Sequence, residues 1–288
     1  MALSFLRSLW GRREPERGSA STPPASATVP AKAAIPGEAW RLTVVGCGDA
    51  FGAGGRLQTT YHLQTSRGNL LLDCGSTALI GMHRSNIDPN AVGAILISHL
   101  HGDHFSGLVW WLMHAHYVTG RTGPLTIAGP PGLRERVQTT TEALFPGSSA
   151  IAPQYAITYL EFADHTPLSL GDVTLTPFEV HHPSGAPAYA MRLEGRGRCV
   201  SFSGDTEWVE NLLPCSREAD LFIVDCFGYD EDIGFHMSWT TISSHLDRIG
   251  ARRIMLTHMG PDMLAKRLEV SDPRIVLADD GLVVEIAD

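Results

Sequence analysis

The sequence predicts an α+β protein: two β-sheets packed face to face, with helices outside them. Two observations predict it. In each half of the chain, strand-length apolar runs broken by Gly- and Pro-rich turns come before helix-length segments. The chain is also long enough for a sizeable core, as one large domain or two small ones. Its 288 residues are 43% hydrophobic and 18% charged, the balance of a globular protein.

The elements follow in order. The globular part begins near Ala39 with a strand over Arg41–Gly46. That strand ends in a loop, Gly46-Cys-Gly-Asp-Ala-Phe-Gly-Ala-Gly-Gly55. The loop has neither GxGxxG opening a helix nor GxxxxGK[ST], so it predicts close approach to a ligand rather than a phosphate cradle. Thr60–Gln64 and Asn69–Asp73 pair across the turn residues Ser66-Arg67-Gly68. Ala94–Ser98 is a strand, and Ser106–Tyr117 a helix rich in Trp110, Trp111, Leu112 and Met113. A strand at Leu125–Ala128 closes on Gly129-Pro-Pro-Gly132 and leads into a helix over Leu133–Leu144. Strands are expected near 157–162, 173–180, 188–194, 198–203 and 220–226. A helix over 239–249, a strand over Arg253–Thr257, a helix over 261–268 and strands near 274–277 and 282–286 complete the chain. No sequence repeat relates the two halves.

Residues 1–37 stand apart. Gly18 to Pro36 is Ser, Thr, Pro and Ala with almost no large apolar residue. Such a stretch buries too little to offset chain entropy, so 1–37 is expected to be a disordered leader. Ahead of it, Leu3, Phe5, Leu6, Leu9 and Trp10 with Arg7, Arg12 and Arg13 suit a short amphipathic helix able to touch a membrane surface or a partner. Arg7 interrupts the apolar run, which argues against a secretory signal. No apolar run reaches the roughly 20 residues of a membrane span. A net charge of −9 excludes a general nucleic-acid binder. Five scattered cysteines, Cys47, Cys74, Cys199, Cys215 and Cys226, form no CxxC pair and predict a reducing, cytoplasmic compartment.

The strongest chemistry lies in Ile97-Ser-His99-Leu-His101-Gly-Asp103-His104-Phe-Ser-Gly107. Imidazole and carboxylate are the donors a divalent transition metal takes. Residues two apart in an extended segment face the same way, so His99 and His101 can reach one ion. Gly102 permits a turn that brings Asp103 and His104 to a second. A lone histidine on an apolar strand is commonly a core residue; three with an aspartate predict metal binding. Further metal-capable residues stand where strands end: His181-His182-Pro183, Ser203-Gly-Asp205-Thr206 and Thr257-His258-Met259. Alone, each is equally readable as a cap, a turn former or a surface residue.

In this order, His99-x-His101-x-Asp103-His104, then His182, Asp205 and His258 resemble the metallo-β-lactamase superfamily over about residues 40–288. Asp73 in Leu71-Leu-Asp-Cys-Gly75 matches that superfamily's early strand-end aspartate. Gly46-Cys-Gly-Asp49, Gly129-Pro-Pro-Gly132, Ser203-Gly-Asp-Thr206 and His236-Met-Ser238 look most like the ribonuclease Z and phosphodiesterase branch. The resemblance implies a four-layer αββα sandwich over residues 38–288, with two divalent ions at one edge of the sheets. Zinc comes first as the metal, with Mn2+ or Fe2+ as others. It implies that His99, His101 and His182 hold the first ion, that Asp103, His104 and His258 hold the second, and that Asp205 bridges both. His181 competes with His182, which the following Pro-Ser-Gly-Ala-Pro favours. Asp73 would support the ligand loop from behind, and His236 would contact the scissile phosphate, unless it is a surface or capping residue.

Two ions ~3.5–4 Å apart can deliver a bridging hydroxide at neutral pH. Asp103 would then orient it or accept its proton, and His236 would stabilise a phosphoryl oxygen or protonate the leaving group. A small or cyclic phosphodiester is the expected substrate. Between Gly132 and His182 there is no Gly/Pro/Lys-rich insertion of the kind that would make a tRNA-binding arm, and the acidic charge also opposes an extended RNA contact. Trp110, Trp111, Trp239 and Phe51 are candidates to line the pocket, or else core. The same ligands suit lactonase, β-lactamase or arylsulfatase chemistry, ribonuclease Z-like tRNA processing, or a non-catalytic metal sensor. An oxygen-reducing diiron role lacks a flavin module. The resemblance also allows a homodimer.

Overall fold

The protein's structure, a computed structural model, describes residues 39–150 and 152–287. The expected leader over 1–37, with its amphipathic segment, lies outside the described residues. Strands β1 (Trp40–Gly46), β2 (Thr60–Gln64), β3 (Asn69–Leu72), β4 (Val92–Leu96), β5 (Leu125–Gly129) and β6 (Ile157–Glu161) lie in one sheet. Strands β7 (Leu168–Leu170), β8 (Val173–Val180), β9 (Ala188–Gly195), β10 (Arg198–Phe202), β11 (Leu221–Asp225), β12 (Ile254–Thr257) and β13 (Ile275–Leu277) form the other. The last strand, β14 (Val283–Ile286), returns to pair with β1.

The orders are β14-β1-β2-β3-β4-β5-β6 and β7-β8-β9-β10-β11-β12-β13. Read in that direction, each sheet makes three antiparallel pairings and then three parallel ones. The two halves therefore share a pairing pattern that leaves no trace in the sequence.

Alternation along the strands builds the layers. In β4, Ala94 and Leu96 face the other sheet, while Ile95 and Ile97 just beyond it face helices. In β11, Leu221 and Ile223 point inward, and Phe222 and Val224 outward. The inner core joins Leu42, Tyr61, Leu72, Met191, Phe202 and Met255. Helices α1 (Ala78–Arg84), α2 (Gly102–Phe105), α3 (Gly107–Tyr117) and α4 (Leu133–Leu144) belong to the first half. Their layer buries Met82, Leu108, Trp111 and Val137 against Leu71, Ile95 and Ile127. Helices α5 (Leu212–Ser216), α6 (Trp239–Ser244) and α7 (Pro261–Lys266) cover the second sheet through Leu212, Ile242 and Met263. Each fully buried side chain of this size stabilises the fold by about 1.5–3 kcal/mol. The result is the four-layer αββα sandwich. Among the described residues no helix is long and apolar enough to cross a membrane.

Five elements differ from expectation, the short helices α2 and α5 being simple additions. Helix α1 is added: Gly81 weakens its sequence signal, but a Cβ there would lie 2.5 Å from the Val45 carbonyl oxygen, so packing demands glycine. Strand β7 is only three residues long. Helix α6 stops at Ser244 rather than 249, where Ser243 and Ser244 hydroxyls donate to the carbonyls of Thr240 and Thr241 at 2.9 and 2.7 Å. The tryptophans expected near a pocket belong to the helix layers. Trp111 is buried, Trp110 packs edge-on to Phe145, and Trp239 packs on the second outer core. Phe51 alone is fully outward, 91% exposed on the Gly-rich loop.

Candidate metal centre

Six strands deliver polar side chains just at or beyond their C-terminal ends: Asp73 after β3, His99 after β4, His182 after β8, Asp205 after β10, Asp225 ending β11 and His258 after β12. The parallel pairings β3-β4 and β10-β11-β12 make those ends converge on one edge of the sandwich, the place where α/β sheets bind ligands.

The first loop leaves β4 extended. His99 and His101 share a side, while Leu100 between them is buried. His101 (φ −80, ψ 150) caps α2, which carries Asp103 and His104 inward as buried residues. The turn expected at Gly102 is thus a short helix. Asp73, in a left-handed conformation (φ 57), fixes this loop from behind. Its carboxylate accepts from Ser98 N and Ser98 Oγ, each at 2.7 Å, and meets His104 Nδ1 at 2.6 Å. Ser98 Oγ also meets His99 Nδ1 at 3.0 Å. Both rings are thereby oriented with Nε2 inward, as an outer shell does for metal ligands.

Two groups of donors hold the expected ligands, and a third overlaps them. His99, His101 and His182 form one; Asp103, His104, Asp205 and His258 form the other; Asp205, Asp225, His236 and His258 form the overlapping third, with donor atoms in each group within 4.8 Å of one another. His182 Nε2 lies 3.0 Å from His101 Nδ1, and His182 Nδ1 bonds to the Phe235 carbonyl at 3.1 Å. His181 instead turns outward to Glu207 Oε1 at 2.6 Å. Asp205 Oδ2 is the focus: His104 Nε2 stands 3.1 Å away, His258 Nε2 3.4 Å, His99 Nε2 3.7 Å and His182 Nε2 4.0 Å. The structure therefore brings together every residue assigned to the two ions by resemblance, and sets His182 rather than His181 among them.

The chemistry of this donor set suits divalent cations. His99 Nε2 and His104 Nε2 are buried with no hydrogen-bond partner. Burial holds His99 well below the ordinary imidazole value, lowers His101, and takes His182 down to about 4. These three are neutral at pH 7, the form that binds metal. Burial would raise Asp205, yet His104, His258 and His99 hold it well below the usual carboxylate range. Burial would likewise raise Asp103, but His104 and His258 keep it low. Two ionised carboxylates in a buried pocket demand positive charge. Protons supply it by raising His104 and His258 against burial, and a cation supplies it equally well.

One residue was missed by sequence reasoning. Asp225 is fully buried, and its Oδ2 lies 2.8 Å from His236 Nδ1. Its Oδ1 lies 3.7 Å from His258 Nδ1. Its position at the end of Leu221-Phe-Ile-Val-Asp225 was the available signal, the same strand-end placement as Asp205. His236 is no surface cap. It stacks on His258 at 5.2 Å, stands 4.8 Å from the His182 ring and reaches 4.0 Å from Asp205 Oδ2. Burial would lower it, but Asp225 overrides this and lifts His236 from 6.5 to about 9.

Fold and donor set together define a metal-dependent hydrolase of the metallo-β-lactamase fold, in the ribonuclease Z and phosphodiesterase branch. Within that class, the chain belongs to the family described as Anti-Pycsar protein Apyc1, whose pattern matches residues 40–280. A probable metallo-hydrolase of Bacillus subtilis, YhfI, is 26% identical over 228 residues, spanning 76% of this chain and 86% of that protein. A ribonuclease Z of Methanosarcina mazei is 27% identical over 297 residues, spanning 82% of this chain and 96% of that one. The crystal structure of YhfI has the same fold, with a TM-score of 0.70 at 23% identity over 86% of this chain and 100% of that chain.

Proposed function

We propose that this protein is a dinuclear metal-dependent phosphodiesterase acting on a small or cyclic phosphodiester. The observation that carries the reading is Asp205 Oδ2, placed within 4.0 Å of imidazoles from both donor groups. His99, His101 and His182 would hold one ion, Asp103, His104 and His258 the other, and Asp205 both. Five histidines favour zinc, with Mn2+ or Fe2+ as alternatives. Bound there, such ions supply Lewis acidity and lower the pKa of a water from 15.7 toward about 7.

The chain's own groups do the rest. Asp103, held ionised, orients the attacking water or takes its proton. His236, protonated through Asp225, donates to a phosphoryl oxygen or to the leaving alkoxide. That donor would serve the leaving group of a lactone, β-lactam or sulfate ester as well; what favours a phosphodiester over those alternatives is the likeness to ribonuclease Z. Among the described residues of 133–180, α4, β6, β7 and β8 take up most of the segment and leave no arm for a tRNA, and the −9 charge favours a compact substrate. Five buried cysteines without disulfides suit a reducing, cytoplasmic setting.

The test is a parallel assay of metal-loaded protein on bis(p-nitrophenyl) phosphate, a nucleoside cyclic phosphate, a lactone and an aryl sulfate. Hydrolysis of the two phosphodiesters is the expected result. A preparation that opens the lactone or the sulfate and leaves both phosphodiesters untouched overturns the reading.

A further inference from the structure

His258 follows β12 with a left-handed backbone, at φ 57. A non-glycine residue is uncommon there and persists only where its surroundings hold it. The His258 peptide N–H donates to the Cys47 carbonyl at 3.1 Å. The Thr257 hydroxyl donates to the same oxygen at 3.4 Å, and the Tyr61 hydroxyl meets that of Thr257 at 2.5 Å. His258, on the second sheet, therefore hangs from a residue just beyond β1, on the first.

Cys47 is held in turn by Asp280, between β13 and β14. Asp280 Oδ1 accepts from Cys47 N at 3.1 Å and from Cys47 Sγ at 3.4 Å, and Oδ2 accepts from Leu57 N at 2.8 Å. Burial and then the Asp280 charge push the Cys47 thiol up, so it keeps its proton and donates. Gly48 N donates to Leu57 O at 2.7 Å, so the two ends of the Gly-rich loop are closed on each other above this carboxylate. The segment that carries Asp280 is fixed on both sides: Ala278 N donates to Leu256 O of β12 at 3.0 Å, and Gly281 N to Val44 O of β1 at 2.7 Å. All three partners of the Asp280 carboxylate are donors, so an amide in its place would turn an NH2 group against one of them.

We infer that Asp280 is a positioning residue of the metal centre, acting through the Cys47 peptide to hold His258 in the left-handed conformation that presents its ring. The inference rests on the assignment of His258 to the second ion in the proposed function. The Asp280 carboxylate bonds to Cys47 and Leu57 and to none of the seven ligands, so its effect reaches the centre through Cys47.

The test is chelator competition on the zinc-loaded full chain, which reads the two ions in turn, for wild type, Asp280→Asn, His258→Ala and the double variant. Asp280→Asn keeps the side chain's size and removes one acceptor. It should weaken one equivalent about 10- to 100-fold, the usual effect of losing an outer partner, and leave the other unchanged. The weakened equivalent should be the one that His258→Ala loses, and in the His258→Ala background Asp280→Asn should change nothing further. Two unchanged affinities in Asp280→Asn overturn the inference. So do equal loss of both ions, a further loss in the His258→Ala background, or an Asp280→Asn chain that no longer folds by circular dichroism, since each marks a structural role only. Wild type that binds a single ion brings down the dinuclear reading itself, a distinct result.

Discussion

Asp73 Oδ2 lies 2.6 Å from His104 Nδ1, and the same carboxylate holds Ser98 by both its backbone nitrogen and its hydroxyl. One fully buried residue at the end of β3 thereby fixes two rings on the neighbouring strand's loop. Burial raises the Asp73 carboxyl and His104 pulls it back, so a polar group is kept at this depth by its partners. Asp73→Asn should weaken metal binding about 10- to 100-fold, the usual effect of losing an outer partner. A chelator competition titration checks it, and unchanged affinity would show that the carboxylate is dispensable.

The Asp225–His236 pair predicts a pH limb. With its folded value raised to about 9 from 6.5, His236 is protonated throughout the neutral range. Its contribution to stability is complete below about pH 6.5 and is lost as pH rises through about 9. As a proton donor it fails only where it loses its own proton, so kcat should fall above pH ~9. Asp225→Asn removes the group that raises it and should move the limb to lower pH. A profile of kcat against pH for both proteins tests this, and an alkaline limb unmoved by Asp225→Asn removes His236 from the donor role.

Packing holds the same loops. A Cβ on Gly107, at the start of α3, would sit 2.0 Å from the Gly75 carbonyl oxygen, two residues beyond Asp73. Gly107→Ala must push α3 away from the Asp73 loop. We expect destabilisation of about 1–3 kcal/mol or more, together with weakened metal binding. Denaturant unfolding with and without metal measures both. A variant as stable as wild type would mean that the two segments separate freely.

Much of the fold was legible because buried parallel strands write themselves as short apolar runs, such as Ala94–Ile97 and Leu221–Val224. The short pieces were not: β7 has three residues, and α1 carries a glycine that only its contact with Val45 explains. The donor residues were legible one by one because His and Asp at strand ends stand out against apolar runs. Their grouping came only through the resemblance, since in the residues themselves it depends on register between strands far apart in sequence. Asp225 shows the limit. It carries the same strand-end signature as Asp205, but its partner His236 is 11 residues away across a loop whose path sequence does not dictate.

The central claim is that Asp205 joins two ions in one centre. Metal content per chain, measured by elemental analysis on wild type and Asp205→Ala after equal loading and desalting, tests it most directly. The account predicts about two equivalents of divalent metal in wild type and loss of most of it in Asp205→Ala. A wild-type chain that saturates at one equivalent, or an Asp205→Ala chain that keeps two, contradicts it.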